Sequence, residues 1–324
     1  MSDVKKYDKE FLTSALRDMT LIRRFEEKTA QMYGLRKIGG FLHLYNGQEA
    51  VAVGAVAAID LKKDYILTSY RDHGHALAVG MSPGSVMAEM YGKITGCSRG
   101  KGGSMHMFDV ERHFLGGNGI VGGQIPMATG VAFKQMYLGE KGVTLCFFGD
   151  GAIHQGAFHE SLNLAKIWNL PAIYIVENNQ FGMGTAVKRV SGVEDFHVKA
   201  EGYNLQGKII NGMDFIEVYE GLKEVAADAR ENGNAWLIDI KTYRYKGHSA
   251  SDPAKYRTKD ELEEYKRQDP IIQLKSRMMD AGLITEEQYK KLDDEVKDEV
   301  QAAVDFAEKS EEPALHTIYE DILA

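Results

Sequence analysis

Two apolar runs, each closing on a polar turn and separated by a helix-patterned stretch, leave this chain few ways to fold. Val143 to Phe148 runs into Gly149-Asp150-Gly151, Gln155 to Trp168 has helical spacing, and Pro171 to Val176 leads to Asn178-Asn179. Short apolar runs bounded by Gly, Asp and Asn read as strands. A crossover of this length predicts that the two strands lie parallel, since a hairpin needs only a short turn. Asp150 and Asn179 then share the carboxyl edge of one sheet, which is where open α/β sheets bind ligands.

Asp150 offers a carboxylate, Asn179 an amide oxygen, and the backbone after Asn179 a carbonyl oxygen. Hard oxygen donors on a rigid frame suit Mg²⁺, which completes its shell with phosphate and water. Gly149, Gly151 and Gly156 let backbone amides near the following helix approach an anion closely. The expected ligand is a diphosphate held through Mg²⁺. Taken singly, Asp-Gly is an ordinary turn and Asn-Asn an ordinary loop. Their joint spacing resembles the signature shared by thiamine diphosphate enzymes.

At 324 residues and 44% hydrophobic content the chain can bury a large core, as one large or two modest domains. A net charge of -8 argues against a nucleic-acid footprint. Lys5-Lys6 and Arg23-Arg24 read as isolated, solvated pairs. Cys97 and Cys146 are the only cysteines, so no disulfide framework is implied and a reducing compartment is expected. Met1 to Lys9 is polar, without an apolar signal region, and the longest apolar run, Ala50 to Ile59, is too short to span a bilayer. The expectation is a cytoplasmic protein of bacterial type, with no membrane partner.

Asp8 to Gly34 reads as a long helix with Leu12, Leu16, Met19, Ile22, Phe25 and Met32 near one face. A loop at 39–43 delivers His43 to the helix expected over Gly47 to Ala58. Tyr65 to Tyr70 is strand-like, and Ser82-Pro83 opens a helix with Ser as cap and Pro at its first position. Glycine-rich loops at 96–103 and 116–123 suggest backbone brought close to a ligand. Helices are expected at Gln124 to Leu138 and Met213 to Glu231, and a strand at Trp236 to Tyr245. Thr258 with Glu261, and Thr285 with Gln288, read as capping boxes.

Three short motifs point elsewhere and fail on context. Gly117, Gly119 and Gly122 match the dinucleotide fingerprint, but no clear strand precedes them and no ribose-binding acid ends a following strand. Gly96-Cys97-Ser98-Arg99-Gly100 matches a nucleophile elbow yet follows a helix. Gly100-Lys101 lacks the remaining residues of a P-loop. No HExxH occurs among the ten histidines, so a zinc hydrolase has no support. His43, His73, His106 and His248 stand out because each lies in a Gly- or Ser-containing loop.

Longer matches are far more specific. GGFLHLYNGQEA at 39–50, TSYRDHGH at 68–75, GKGGSMHMF at 100–108, GGNGIVGGQIP at 116–126, the 149–185 stretch and TYRYKGHSASDPAKYRT at 242–258 run almost end to end. Through them the chain resembles the alpha subunits of the decarboxylating component of 2-oxo acid dehydrogenase complexes, the pyruvate dehydrogenases above all. The resemblance implies an α/β thiamine diphosphate-binding fold: a mainly parallel sheet flanked by helices, with an N-terminal helix and a C-terminal helical region. The segments would be 1–38, 39–245 and 246–324 within one continuous domain.

The resemblance further implies thiamine diphosphate and Mg²⁺ as cofactors. Asp150, Asn179 and the carbonyl of Phe181 would hold the metal, with Gly151 and Ala152 at the diphosphate; many relatives carry Tyr at Phe181, which a backbone ligand tolerates. Tyr70 and Arg71 would contact the diphosphate, and Gly119 and Val121 the aminopyrimidine. His43 would lie near the substrate carboxylate and His248 would touch the cofactor. Lys246 stands where relatives often carry His, and only Ser249 matches a phosphorylatable serine of the family. The glutamate that activates the cofactor belongs, in this family, to a beta subunit. Half an active site is therefore expected, in a heterotetramer of two alphas and two betas, serving pyruvate and a lipoyl-bearing dihydrolipoyl acetyltransferase. GHSASDP at 247–253 resembles pyruvate-acting relatives more than branched-chain or acetoin ones. A non-catalytic assembly subunit is the reading from another class, opposed by the joint presence of Asp150, Asn179, Arg71 and His248.

Overall fold

In the computed structural model, which describes residues 4–322, helix α1 (Lys9–Gly34) starts where Asp8 accepts the N–H of Glu10 at 2.7 Å. The six apolar positions expected on its inner face are all buried. The polar run at 1–9 lies partly outside the described residues. Next come α2 (Glu49–Ala57), β1 (Tyr65–Ser69), α3 (His73–Ala78) and α4 (Pro83–Met90). His73 thus opens a helix, contrary to the loop expected there. Pro83 occupies the first turn of α4 as expected, but Ser82 makes no side-chain cap bond.

After β2 (Phe114–Asn118) and α5 (Gln124–Leu138) comes the unit on which the sequence reading was built: β3 (Thr144–Gly149), α6 (Gly156–Trp168) and β4 (Ala172–Asn178). A small antiparallel pair, β5 (Phe181–Gly182) and β6 (Thr185–Ala186), leads through α7 (Val187–Val190) to β7 (Gln206–Asn211), α8 (Phe215–Asn232) and β8 (Trp236–Lys241). The chain ends in α9 (Lys259–Lys266), α10 (Pro270–Asp280) and α11 (Glu286–Lys309).

Six strands form one parallel sheet in the order β2-β1-β3-β4-β8-β7. Successive side chains alternate between its faces. Leu145 and Phe147 of β3, Ile173 and Ile175 of β4 join one hydrophobic cluster with α1, α2 and α8. Cys146 and Phe148, Tyr174 and Val176 join the other, with α5 and α6. Helices on both faces explain why these strands read as unbroken apolar runs. β7 lies at the edge, with Gln206, Gly207, Ile209 and Asn211 exposed, and so carries no apolar signal.

Three local expectations change. A strand, β2, does lead into the Gly117-x-Gly119 motif. The dinucleotide reading still fails, because β1 separates β2 from β3, whereas that motif needs its two strands adjacent. Arg23 and Arg24 are partly buried and paired: Arg23 Nε donates to Glu49 at 2.6 Å and its Nη2 to Asp269 at 2.8 Å, while Arg24 pairs with Asp293 at 2.7 Å. Their partners come from α2, the turn before α10, and α11, so the pair clamps the C-terminal helices to α1. Thr285 and Gln288 form a full capping box. Thr258 forms half of one, since the Glu261 carboxylate is taken by the Tyr243 hydroxyl at 2.8 Å. Among the described residues no helix is long and apolar enough to cross a membrane.

Candidate active site at the carboxyl edge of the sheet

The carboxyl ends of β1, β3, β4 and β8 open onto a cavity of about 500 Å³. β1 delivers Tyr70 and Arg71 to its wall, β3 delivers Asp150, Gly151 and Ala152, β4 delivers Glu177 and Asn179, and the chain after β8 delivers Arg244 and His248. Residues from four separate stretches meet because parallel strands all point the same way. Phe181, Gly182 and Val121 also line it. Gly119 does not; it packs on the ring of His106, where an added Cβ would stand 3.1 Å from Nε2. His43 is also off the wall, buried behind Tyr70 and His248 with ring centroids 4.5 and 5.2 Å away.

The three oxygens expected at a metal are brought together. Asn179 Nδ2 donates to Gln48 Oε1 at 2.9 Å, which fixes the amide so that its oxygen faces the cavity side. That oxygen and the carbonyl of Phe181 both accept from one atom, Arg244 Nη1, at 3.2 and 3.1 Å. A Cβ on Gly182 would stand 3.6 Å from Asp150 Oδ2, so the carboxylate borders the same turn. Burial raises the Asp150 pKa to about 6, against the opposing pull of Arg244 and of a hydrogen bond from its own backbone N–H. A desolvated carboxylate beside two oxygens already aimed at a cationic nitrogen fits a hard divalent cation. No cluster of three or more His, Cys, Asp or Glu that could hold a metal ion occurs among the described residues.

The guanidinium of Arg71 is anchored before any ligand arrives. Its Nη1 donates to the carbonyl of Leu44 at 2.7 Å and its Nη2 to that of His248 at 2.8 Å. Burial, then the nearby Arg244, lowers its pKa to about 10, so it stays charged at neutral pH. Both histidines are held neutral. Burial and Arg71 push His43 down to about 2 and His248 down to about 4. The Nδ1 atoms of His43 and His248 have no partner, an unpaired state that buried polar groups rarely keep unless a ligand completes them. The His248 loop is tied down: its N–H donates to Asp252 at 2.6 Å, Tyr256 donates to the same carboxylate at 2.8 Å, and Arg244 Nη2 donates to Tyr256 at 2.9 Å.

Sequence reasoning missed Arg244 and Glu177. Arg244 is fully buried between the two oxygens and the His248 loop; its only sequence signal is an arginine between Tyr243 and Tyr245 directly after a buried strand. Glu177 is the last-but-one residue of β4; burial raises its carboxyl to about 7, and it accepts a hydrogen bond from Tyr45. His73, singled out in the sequence, is instead locked in the core, with Nδ1 2.9 Å from Glu26 and Nε2 2.8 Å from Ser104 Oγ. His106 holds Gly117, its Nδ1 3.2 Å from that carbonyl.

The family described as Dehydrogenase E1 component matches residues 17–316. The chain belongs to that family. Dehydrogenase E1 components depend on thiamine diphosphate. Among relatives, a protein of Rickettsia bellii named pyruvate dehydrogenase E1 component subunit alpha is 47% identical over 97% of this chain and 96% of its own length. Proteins of the same name from Rhizobium meliloti and Zymomonas mobilis are 49% and 45% identical, over 99% and 98% of this chain.

Proposed function

We propose that this chain is the alpha subunit of a pyruvate dehydrogenase E1 component. In this reading it decarboxylates pyruvate oxidatively and passes the acetyl group to the lipoyl group of a dihydrolipoyl acetyltransferase. One observation carries the site: Asn179 Oδ1 and the Phe181 carbonyl converge on a single cationic nitrogen beside the buried Asp150. The names of the full-length relatives support the substrate.

Thiamine diphosphate, when bound, supplies the electron sink that lets CO₂ leave a 2-oxo acid. The residues of this chain bind and orient around it. Asp150, Asn179 and the Phe181 carbonyl hold Mg²⁺; the backbone at Gly151 and Ala152 and the Arg71 guanidinium receive the diphosphate, with Tyr70 beside it. Backbone at Val121, on the cavity wall, supports the aminopyrimidine, with Gly119 set behind it against His106. His248, neutral at pH 7 and on the cavity wall, keeps an unpartnered Nδ1 that can exchange a proton with substrate or lipoyl group; His43, also neutral, packs behind it and lies near the substrate carboxylate's end of the site. No carboxylate of this chain is assigned to cofactor activation; that group comes from a beta chain, and the assembly is a heterotetramer of two alphas and two betas.

The test is turnover by the alpha chain purified with its beta partner, Mg²⁺ and thiamine diphosphate. Pyruvate should be used faster than 2-oxoisovalerate or acetoin. A preference for either of those reassigns the substrate, and no cofactor-dependent turnover of any of them removes the reading.

A further inference from the structure

Away from the cavity wall, one buried carboxylate organises a whole loop. Glu89, at the end of α4, is completely buried. Its Oε2 accepts the N–H of Ser98 at 2.7 Å and of Gly100 at 2.9 Å; its Oε1 accepts those of Gly102 at 2.7 Å and Gly103 at 3.1 Å. Four donors on two oxygens is a pattern that suits a carboxylate alone, because an amide would turn its own NH₂ against two of them. Glycine is required at two of these positions: Gly100 has a φ of +77° and its Cβ would lie 2.6 Å from the Gly92 carbonyl oxygen, and a Cβ on Gly96 would lie 2.6 Å from Glu89 Cα. The loop is an anion nest, and the anion is the protein's own side chain. The glycine-rich loop at 96–103 thus wraps Glu89.

The loop presses in turn on the segment that follows it. Ser98 Oγ donates to the carbonyl of His106 at 2.7 Å, and a Cβ on Gly102 would stand 2.1 Å from that oxygen. From this segment two contacts reach toward the site. Ser104 Oγ accepts the N–H of His43 at 3.3 Å, and His106 holds the carbonyl of Gly117 and packs on Gly119.

We infer that Glu89 is a positioning residue for the reaction: by folding the 98–103 loop it sets His43 through Ser104 and the Gly117–Gly119 backbone through His106. It lines no part of the cavity itself. The activity arm of this inference rests on the function proposed above; the exchange arm does not.

The experiment compares wild type with Glu89→Gln, each purified with the beta partner, by hydrogen exchange and steady-state kinetics. Exchange at Ser98, Gly100, Gly102 and Gly103 should quicken about a hundredfold, since each is bonded to a charged acceptor. The change should spread to 104–107 and 117–119. The kcat per folded site, at saturating thiamine diphosphate and pyruvate, should fall about tenfold or more, with a smaller change in pyruvate KM. Exchange confined to 98–103, or an unchanged kcat per folded site, overturns the inference. If Glu89→Gln does not fold, Ser104→Ala cuts the same path downstream. It should slow turnover while exchange at 98–103 stays as in wild type, and unchanged turnover overturns the inference. A wild-type complex without cofactor-dependent turnover counts against the proposed function alone, and the spread of exchange still decides the role of Glu89.

Discussion

Replacing Asp150 with Asn should make the cofactor-free protein more stable while removing its ability to bind the cofactor through Mg²⁺. Burial raises the Asp150 carboxyl from 3.8 to about 6. The folded chain therefore binds that proton more tightly than the unfolded chain, and stability falls as pH rises from 3.8 to about 6, staying lower above it. At about 1.4 kcal/mol per pH unit the loss is about 3 kcal/mol at neutral pH, an upper figure for the gain expected in Asp150→Asn. The gain should vanish near pH 4. Adding Mg²⁺ and thiamine diphosphate at about a hundred times the dissociation constant should stabilise wild type by about 2.7 kcal/mol and the variant not at all. Urea unfolding at pH 4 and 7.5, with and without cofactor, and calorimetry of cofactor binding would measure both effects. A variant no more stable than wild type at pH 7.5, or one that keeps Mg²⁺-dependent affinity, would refute the reasoning. Such an opposition between stability and binding is what a desolvated ligand carboxylate should produce.

Two further outcomes follow from other parts of the structure. Arg23→Met should destabilise the fold by about 3–5 kcal/mol, because it strands Glu49 and Asp269, whose side chains are 0% and 5% exposed, without their cation; a loss below about 1 kcal/mol in urea unfolding would return the pair to the ordinary surface class. His248→Ala should leave stability within about 1 kcal/mol, since its backbone contacts to Arg71 and Asp252 survive, yet slow lipoyl acylation at least about tenfold. With its pKa pushed down to about 4, neutral His248 should keep that step working to about pH 5 in wild type. A step that fails near pH 6.5, or normal acylation in the variant, would contradict this.

The β3–α6–β4 unit, the inner face of α1 and the Thr285 cap were legible because each depends on neighbours a few residues apart: alternation, helical spacing, a side chain reaching its own helix end. β7 was not, because an edge strand with Gln206, Gly207 and Asn211 exposed has little apolar surface to announce it. β2 hid in a run of glycines for a similar reason. The placement of Asp150 and Asn179 at one edge follows from the crossover rule alone. Where Gly119, His43 and Arg71 lie relative to the cavity does not.

Local periodicity and turn chemistry in the chain were enough to establish a parallel sheet with a carboxylate and an amide at its carboxyl rim. Only the folded structure decided which charges lie inside. Arg23 and Arg24 look like any basic pair until Glu49, Asp269 and Asp293 are folded against them. Arg244 gains its meaning from Asn179 and Phe181, some sixty residues earlier, and the loop at 98–103 from Glu89 on a preceding helix. Patterning follows from apolar surface, which every residue carries in its side chain. Pairing of buried charge depends on distances that exist only after the elements have packed.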